Sequence, residues 1–158
     1  MKIAIDSDSN GAHLKNILLS FFREQKSEDI EIFDLCYLNR FPEQDYPDVA
    51  LNMAAEILRK RYDRGILICG TGLGMAICAN KIPGIYAGNC SDVYSAERLA
   101  KSNDANILTL GANVIGPELA KKIAAAWISS GFEGGRSLPK VKRLREIETA
   151  VINKEILF

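Results

Sequence analysis

Short apolar runs of strand-forming residues alternate with longer amphipathic stretches five times along this chain, and no other feature constrains its fold as tightly. The runs cover residues 2–6, 30–34, 65–69, 85–90 and 107–110, and they are nearly continuous in apolar character. Such runs suit strands covered on both faces of a parallel sheet. Between them, Leu14, Ile17, Leu18 and Phe21 recur at helical spacing, as do Ala50, Met53, Ala54, Ile57 and Leu58; each set describes a helix with one apolar face. A third helix opens in the glycines after Cys69 and ends before Pro83, and a fourth covers 91–101. A fifth starts at Gly116-Pro117-Glu118, where proline and glutamate suit a first turn, and its buried stripe is read as Leu119, Ile123 and Trp127. Strict alternation predicts an α/β fold: a single-domain, three-layer α/β/α sandwich around a five-stranded, Rossmann-like parallel sheet. The Gly134-Gly135 pair breaks the alternation, and 139–153 reads as a final charged helix. The stretch from Cys36 to Tyr46 is long for an α/β connection, which marks it for function.

With 158 residues, one domain spanning 1–158 is the expected organisation. Lys and Arg number 20, as do Asp and Glu; a neutral chain argues against nucleic acid or an anionic membrane as partner. No apolar run is long enough to span a bilayer. Met1 leads straight into a strand without a signal-peptide pattern, so a cytoplasmic location is expected. The only histidine is His13, and Cys36, Cys69, Cys78 and Cys90 form no C-x-x-C pair. Structural zinc and a two-histidine metalloprotease are thereby disfavoured, and no metal or cofactor is expected.

In open parallel sheets, ligands bind beyond the carboxyl ends of the strands. The third such end, Cys69-Gly70-Thr71-Gly72-Leu73-Gly74, places a thiol at the start of a glycine-rich turn that opens a helix. Glycines there allow close approach of several N–H groups to an anion, and the same field favours a thiolate. A base or nucleophile and an oxyanion site are thus offered together, although a buried cysteine is also a common core filler. A dinucleotide site fits poorly. The G-x-G-x-G register is wrong and follows the third strand, although Asp92 sits about where a ribose-binding acid would stand.

Asp45-Tyr46-Pro47-Asp48, Ile68-Cys69-Gly70-Thr71-Gly72-Leu73-Gly74-Met75, Ala79-Asn80-Lys81, Ser102-Asn103-Asp104-Ala105-Asn106 and Glu133-Gly134-Gly135-Arg136 stand in the order and spacing of a known family. By these motifs the chain resembles the ribose-5-phosphate isomerase B and galactose-6-phosphate isomerase family across about residues 2–145. The resemblance implies a cofactor-free aldose–ketose isomerase of a small phosphorylated sugar, working through a cis-enediolate. It implies a homodimer or dimer of dimers with sites at the interface and the C-terminal helix packed on a partner subunit. Isomerisation needs a base near the carbon and fixed donors near the developing oxyanion. The family pattern makes Cys69 the base, Thr71 and Asp8 its catalytic companions, and the N–H groups of Gly70, Gly72, Leu73 and Gly74 the anion hole. It assigns substrate contacts to Ser9, Tyr46, Ser102 and Asn103, and phosphate contacts to Arg136, Lys140 and Asn113.

The departures are as informative. Ser9 stands where the family usually has histidine, Ser102 replaces its ring-opening histidine, Asn113 a frequent arginine, Ser137 a histidine and Lys140 a second arginine. A tetrose 4-phosphate has no free hydroxyl with which to close a five-membered ring. The sequence therefore leaves open three substrates: ribose 5-phosphate, a tetrose 4-phosphate, or galactose 6-phosphate handled by a heteromer. Ring opening through Asp8 or Asp104 and a non-catalytic sugar-phosphate-binding homologue also stay open.

Overall fold

A computed structural model describes residues 1–25 and 28–155. Five strands, β1 (Lys2–Ser7), β2 (Glu31–Asp34), β3 (Arg64–Cys69), β4 (Ala87–Asn89) and β5 (Ile107–Gly111), form one all-parallel sheet in the order β2-β1-β3-β5-β4. The connections carry α1 (Ala12–Gln25), α2 (Tyr37–Arg40), α3 (Tyr46–Leu58), α4 (Leu73–Ala79), α5 (Val93–Lys101) and α6 (Pro117–Ser129). A 3-10 turn at Gly135–Ser137 leads into α7 (Leu138–Ile152). Among the described residues no helix is long and apolar enough to cross a membrane. The expected α/β/α sandwich is the observed one.

The continuous apolar runs have a simple cause: successive residues of a strand point to opposite faces, and both faces are covered. Ile3, Ile5, Ile66, Ile68, Leu108 and Leu110 join the core beneath α1, α5 and α6, with Trp127 fully buried at its centre. Ala4, Leu67, Cys69 and Ile107 join the opposite core, beneath α3 and α4. This two-residue period sends the Cys69 side chain toward α4 rather than toward α1.

Two local readings need correction, and Asp92 bears out the poor fit of a dinucleotide site. Leu119 is exposed, and the buried stripe of α6 is Ala120, Ile123, Ala124, Trp127 and Ile128; the helix is rotated by about one residue from the expected phase. The fourth strand is only Ala87–Asn89, because the Tyr86 amide is taken by the Asn106 side chain before the ladder begins. Asp92 caps α5 by accepting from the Ser95 amide at 2.7 Å, so it starts that helix instead of meeting a ribose.

The Asp45-Tyr46-Pro47-Asp48 motif has a local role as well. Asp45 and Asp48 form a reciprocal capping box with proline in the first turn, which fixes the start of α3 and places Tyr46 as its first residue. Near the other end of the chain, α7 buries only Val141. It is tied to the body by Glu148, which accepts from the Gly84 amide at 3.1 Å and from the Tyr86 hydroxyl at 2.9 Å, and by an Arg145–Asp104 ion pair. Leu144, Ile147 and Val151 remain exposed on it at helical spacing.

Candidate active site

β1 and β3 are neighbours at the centre of the sheet, and from β1 the chain first runs outward to β2 before returning on the other side. Loops leaving the carboxyl ends of two such strands diverge and open a crevice between them. Asp8 follows β1 and Cys69 ends β3, so both stand at its mouth. The Asp8 amide donates to the Ile68 carbonyl at 3.2 Å, tying the first loop onto β3. Asp8 is buried, and its carboxylate accepts the Gly11 amide at 2.9 Å, holding a tight turn in which Ser9 is exposed.

The Cys69 thiol is 5% exposed, and its Sγ accepts the Gly72 N–H at 3.1 Å. Gly72 adopts φ +79°, a left-handed conformation that turns this amide back toward the sulfur. The Leu73 amide reaches the Thr71 Oγ1 at 3.4 Å. Two members of the expected anion hole, Gly72 and Leu73, therefore already serve the thiol and the threonine. Among the described residues the Gly70 and Gly74 amides have no protein acceptor, and they are the loop donors left for a substrate oxygen.

Neighbouring side chains brace this loop. The Tyr46 ring lies against Gly74, so closely that a Cβ added there would sit 2.7 Å from Tyr46 Cε2. Asn113 lies over Gly70. Asn89, which the sequence reading had only as a strand end, donates to the Thr71 carbonyl at 3.3 Å and accepts from the fully buried Thr109 hydroxyl. A polar residue ending β4 directly opposite a threonine of β5 was the available signal for that latch. Burial and the nearby Asp92 push the Cys90 thiol up to about 11, which leaves it a protonated core residue at neutral pH.

The remaining predicted residues gather elsewhere. Ser102, Asn103, Arg136 and Lys140 line one cleft of about 340 Å³ together with Ser137. Its walls are pinned to one another where the Glu133 amide donates to the Lys101 carbonyl at 3.1 Å and where Arg145 meets Asp104. Ser102 and Asn103 follow α5 and precede β5, so the cleft lies at the amino ends of the strands. Cys69 lies at their carboxyl ends. One chain thus carries these two groups of residues at opposite ends of its strands. Asp104, a candidate for ring opening, is engaged by Arg145 at the cleft edge of the sheet. His13 is exposed on α1, in an outer groove with Phe21, Glu24 and Lys121. Among the described residues no group of three or more His, Cys, Asp or Glu side chains could hold a metal ion.

A further cluster lies behind the Asp8 loop and was not visible in the sequence. Asp6 and Lys15 are both buried; the Lys15 ammonium stands 3.5 Å from Asp6 and 2.8 Å from Asp34. Burial raises the Asp6 carboxyl above the usual carboxylate range, against the lowering effect of the Ser7 and Tyr37 amides and of Lys15. Burial opposes ionisation of Asp34 most strongly, but the hydrogen bonds from Lys15 and Cys36 and the Lys15 charge together outweigh it and hold that carboxyl below its usual range.

The chain is 49% identical over 150 residues to a protein of Listeria innocua named ribose-5-P isomerase B, covering 94% of this chain and 97% of that one. It is 46% identical over 144 residues to a D-erythrulose-4-phosphate isomerase of Pectobacterium atrosepticum, covering 91% and 93%. The solved structure of Clostridium thermocellum ribose-5-phosphate isomerase B superposes with a TM-score of 0.84 at 39% identity, covering 96% of this chain and 99% of that one. A model of the Ribose/Galactose Isomerase family matches residues 3–144, and with relatives this similar over nearly their whole length, the chain belongs to that family.

Proposed function

We propose that this protein interconverts an aldose and a ketose phosphate, with Cys69 as the base and a site completed by two copies of the chain. The observation that carries the reading is the Cys69 thiol at the carboxyl end of β3, held by the Gly72 amide inside a glycine loop, with the Asp8 turn tied to the same strand end through the Ile68 carbonyl. The thiolate removes the proton from the carbon beside the carbonyl, and the resulting cis-enediolate takes the proton back at the neighbouring carbon. No atoms are gained or lost, so no cofactor is required. Negative charge grows on the carbonyl oxygen during the first step, and the free Gly70 and Gly74 amides are the donors suited to meet it. Thr71 and Asp8 orient the hydroxyls exchanging protons beside the base, and Ser9 and Tyr46 line the pocket. Asn113, over Gly70, faces the same pocket.

The cleft of Arg136 and Lys140 has the charge to hold a phosphate, Arg136 as a planar fork and Lys140 as a point charge, with Ser102 and Asn103 beside them. Because it lies at the opposite edge of the sheet, the cleft of one copy serves the thiol of another. The exposed Leu144, Ile147 and Val151 on α7, with Leu73 and Ile77 on α4, supply apolar surface for such a dimer.

Within this reading the preferred substrate is a tetrose 4-phosphate. The cleft offers Ser102 where ring opening would call for an imidazole, and the one histidine of the chain lies in the α1 groove. A four-carbon 4-phosphate is open-chain and needs no ring-opening group. The similarity to a D-erythrulose-4-phosphate isomerase supports the same choice. The second reading, ribose 5-phosphate, rests on the Listeria innocua relative. Turnover of C4, C5 and C6 aldose phosphates by the purified protein and by Cys69→Ser separates these possibilities. The tetrose is expected to be the best substrate, with Cys69→Ser binding it but turning over at least ~100-fold more slowly. Equal or faster turnover of ribose 5-phosphate refutes the tetrose preference. Full activity in Cys69→Ser refutes the base, and binding without turnover in the unsubstituted protein identifies a non-catalytic homologue.

A further inference from the structure

A carboxylate at a core position of a central strand is costly unless its oxygens and charge are answered, and Asp6 is 1% exposed inside β1. What answers it is instructive. Its Oδ1 accepts the Ser7 amide at 2.9 Å and its Oδ2 the Tyr37 amide at 3.1 Å, from a residue thirty-one positions away. Lys15 bridges Asp6 to Asp34, and Asp34 in turn accepts the Cys36 amide at 3.1 Å. The Leu35 amide donates to the Ile5 carbonyl at 3.1 Å. Asp34, Leu35 and Tyr37 are therefore fastened to the end of β1, with Cys36, held at φ 50°, turning the chain between them.

The segment beyond that point has little else to place it. Residues 39–46 are exposed, so no burial of side chains fixes their path. They form a bracket instead. The Tyr37 hydroxyl donates to Gln44 Oε1, the Phe41 ring packs 5.0 Å from the Tyr37 ring, and the Gln44 amide donates to the Phe41 carbonyl at 3.2 Å. Next come the Asp45 cap and Tyr46, whose ring rests on Gly74. The bracket is held at one end by Asp6 and at the other by the start of α3.

We infer that Asp6, with Lys15 and Asp34, is a positioning device for the substrate pocket: it sets the path of residues 37–46 and so seats Tyr46 on the glycine loop that follows Cys69. This inference rests on the pocket assignment proposed above. Asp6 touches no substrate; it acts through the Tyr37 amide. An asparagine at position 6 keeps the shape of the side chain. However, it has one acceptor oxygen for two amide donors and turns an N–H₂ toward the second, so one anchor is lost along with the charge facing Lys15.

The test combines steady-state kinetics with hydrogen–deuterium exchange on the full chain. Asp6→Asn is expected to raise KM for the best aldose phosphate about 5- to 20-fold with kcat within about threefold, because placement of a pocket wall is lost and the base is untouched. In a Tyr46→Ala background the same substitution is expected to change KM less than about twofold, since residues acting through one another are not additive. Tyr37→Phe removes only the exposed hydroxyl contact with Gln44 and leaves the ionic cluster whole. It is expected to give a smaller KM rise, about two- to threefold, that also vanishes with Tyr46→Ala. Amide exchange within 37–46 is expected to accelerate in Asp6→Asn while the β3 and β5 amides stay protected. Equal KM increases in both Tyr46 backgrounds overturn the inference, as does unchanged exchange in 37–46. Should the unsubstituted protein turn over no aldose phosphate, the proposed function fails, and the exchange pattern alone decides whether the clamp exists.

Discussion

Two inactive variants of this protein are expected to restore one another. Cys69→Ala removes the proposed base at the carboxyl end of β3, and Arg136→Ala removes the proposed phosphate fork of the cleft at the amino ends of the strands. The five residues of β5 span the distance between these edges, and at about 3.3 Å per residue they separate the two half-sites by roughly 15 Å of sheet. A four-carbon sugar phosphate is shorter than that gap, so it cannot touch Cys69 and Arg136 of the same chain. A two-fold dimer contains two composite sites. In a mixed dimer one of them inherits both substitutions, and the other has an intact Cys69 from one chain and an intact Arg136 from its partner. Random pairing of equal amounts yields about half mixed dimers with one working site each, hence about a quarter of wild-type activity per chain. The mixed dimer purified by two different tags should show about half. Each variant alone should retain no more than a few per cent, because losing the base or the charged fork removes at least ~2 kcal/mol of transition-state stabilisation. Co-expression avoids dependence on subunit exchange, and activity is read as product ketose formed per mole of chain. A purified mixed dimer as inactive as its parents would mean that no site is shared between chains, and the composite site would be ruled out.

Two other perturbations test particular parts of the site. Gly72→Ala is expected to destabilise the protein by about 2–4 kcal/mol in chemical denaturation and to reduce kcat, because φ +79° is unfavourable for alanine and the new Cβ would sit 2.9 Å from the Leu110 carbonyl carbon. Wild-type stability would disprove the role given to that left-handed turn. Asp34→Asn is expected to flatten the acid side of the stability profile. Asp34 is held below its ordinary value of 3.8 in the folded state. Its stabilising contribution is therefore complete above that value and is lost as pH falls through the lower, folded one. Thermal melts between about pH 5 and 2 should fall less steeply in the variant, and an identical slope would show that the Lys15 pairing carries no linkage.

The fold was legible in the sequence because its signals are local. A strand buried on both faces must be apolar at every position, so five such runs between amphipathic stretches left little choice but a covered parallel sheet. Cys69 and its glycines were legible for a related reason: a tight turn at a strand end calls for residues with unusual backbone freedom. The phase of α6 was less legible, since Leu119 and Ala120 both suit a helix and only packing around Trp127 selects between them.

Asp6, Lys15 and Asp34 were not legible at all. Each is an ordinary charged residue in its own window, and their meaning lies in contacts between β1, α1 and β2. Asn89 behaved likewise, becoming a latch only when β4 lay beside β5. The division of Cys69 from Arg136 is the clearest case. Sequence motifs suggest both residues for one site. Only the strand order and the shared direction of the strands place them at opposite edges of one sheet. Sequence alone fixes which elements form and which side chains are candidates for the chemistry, because these follow from periodicity and residue type. Tertiary structure decided which of those side chains one chain can bring together, because that depends on where each strand ends in space.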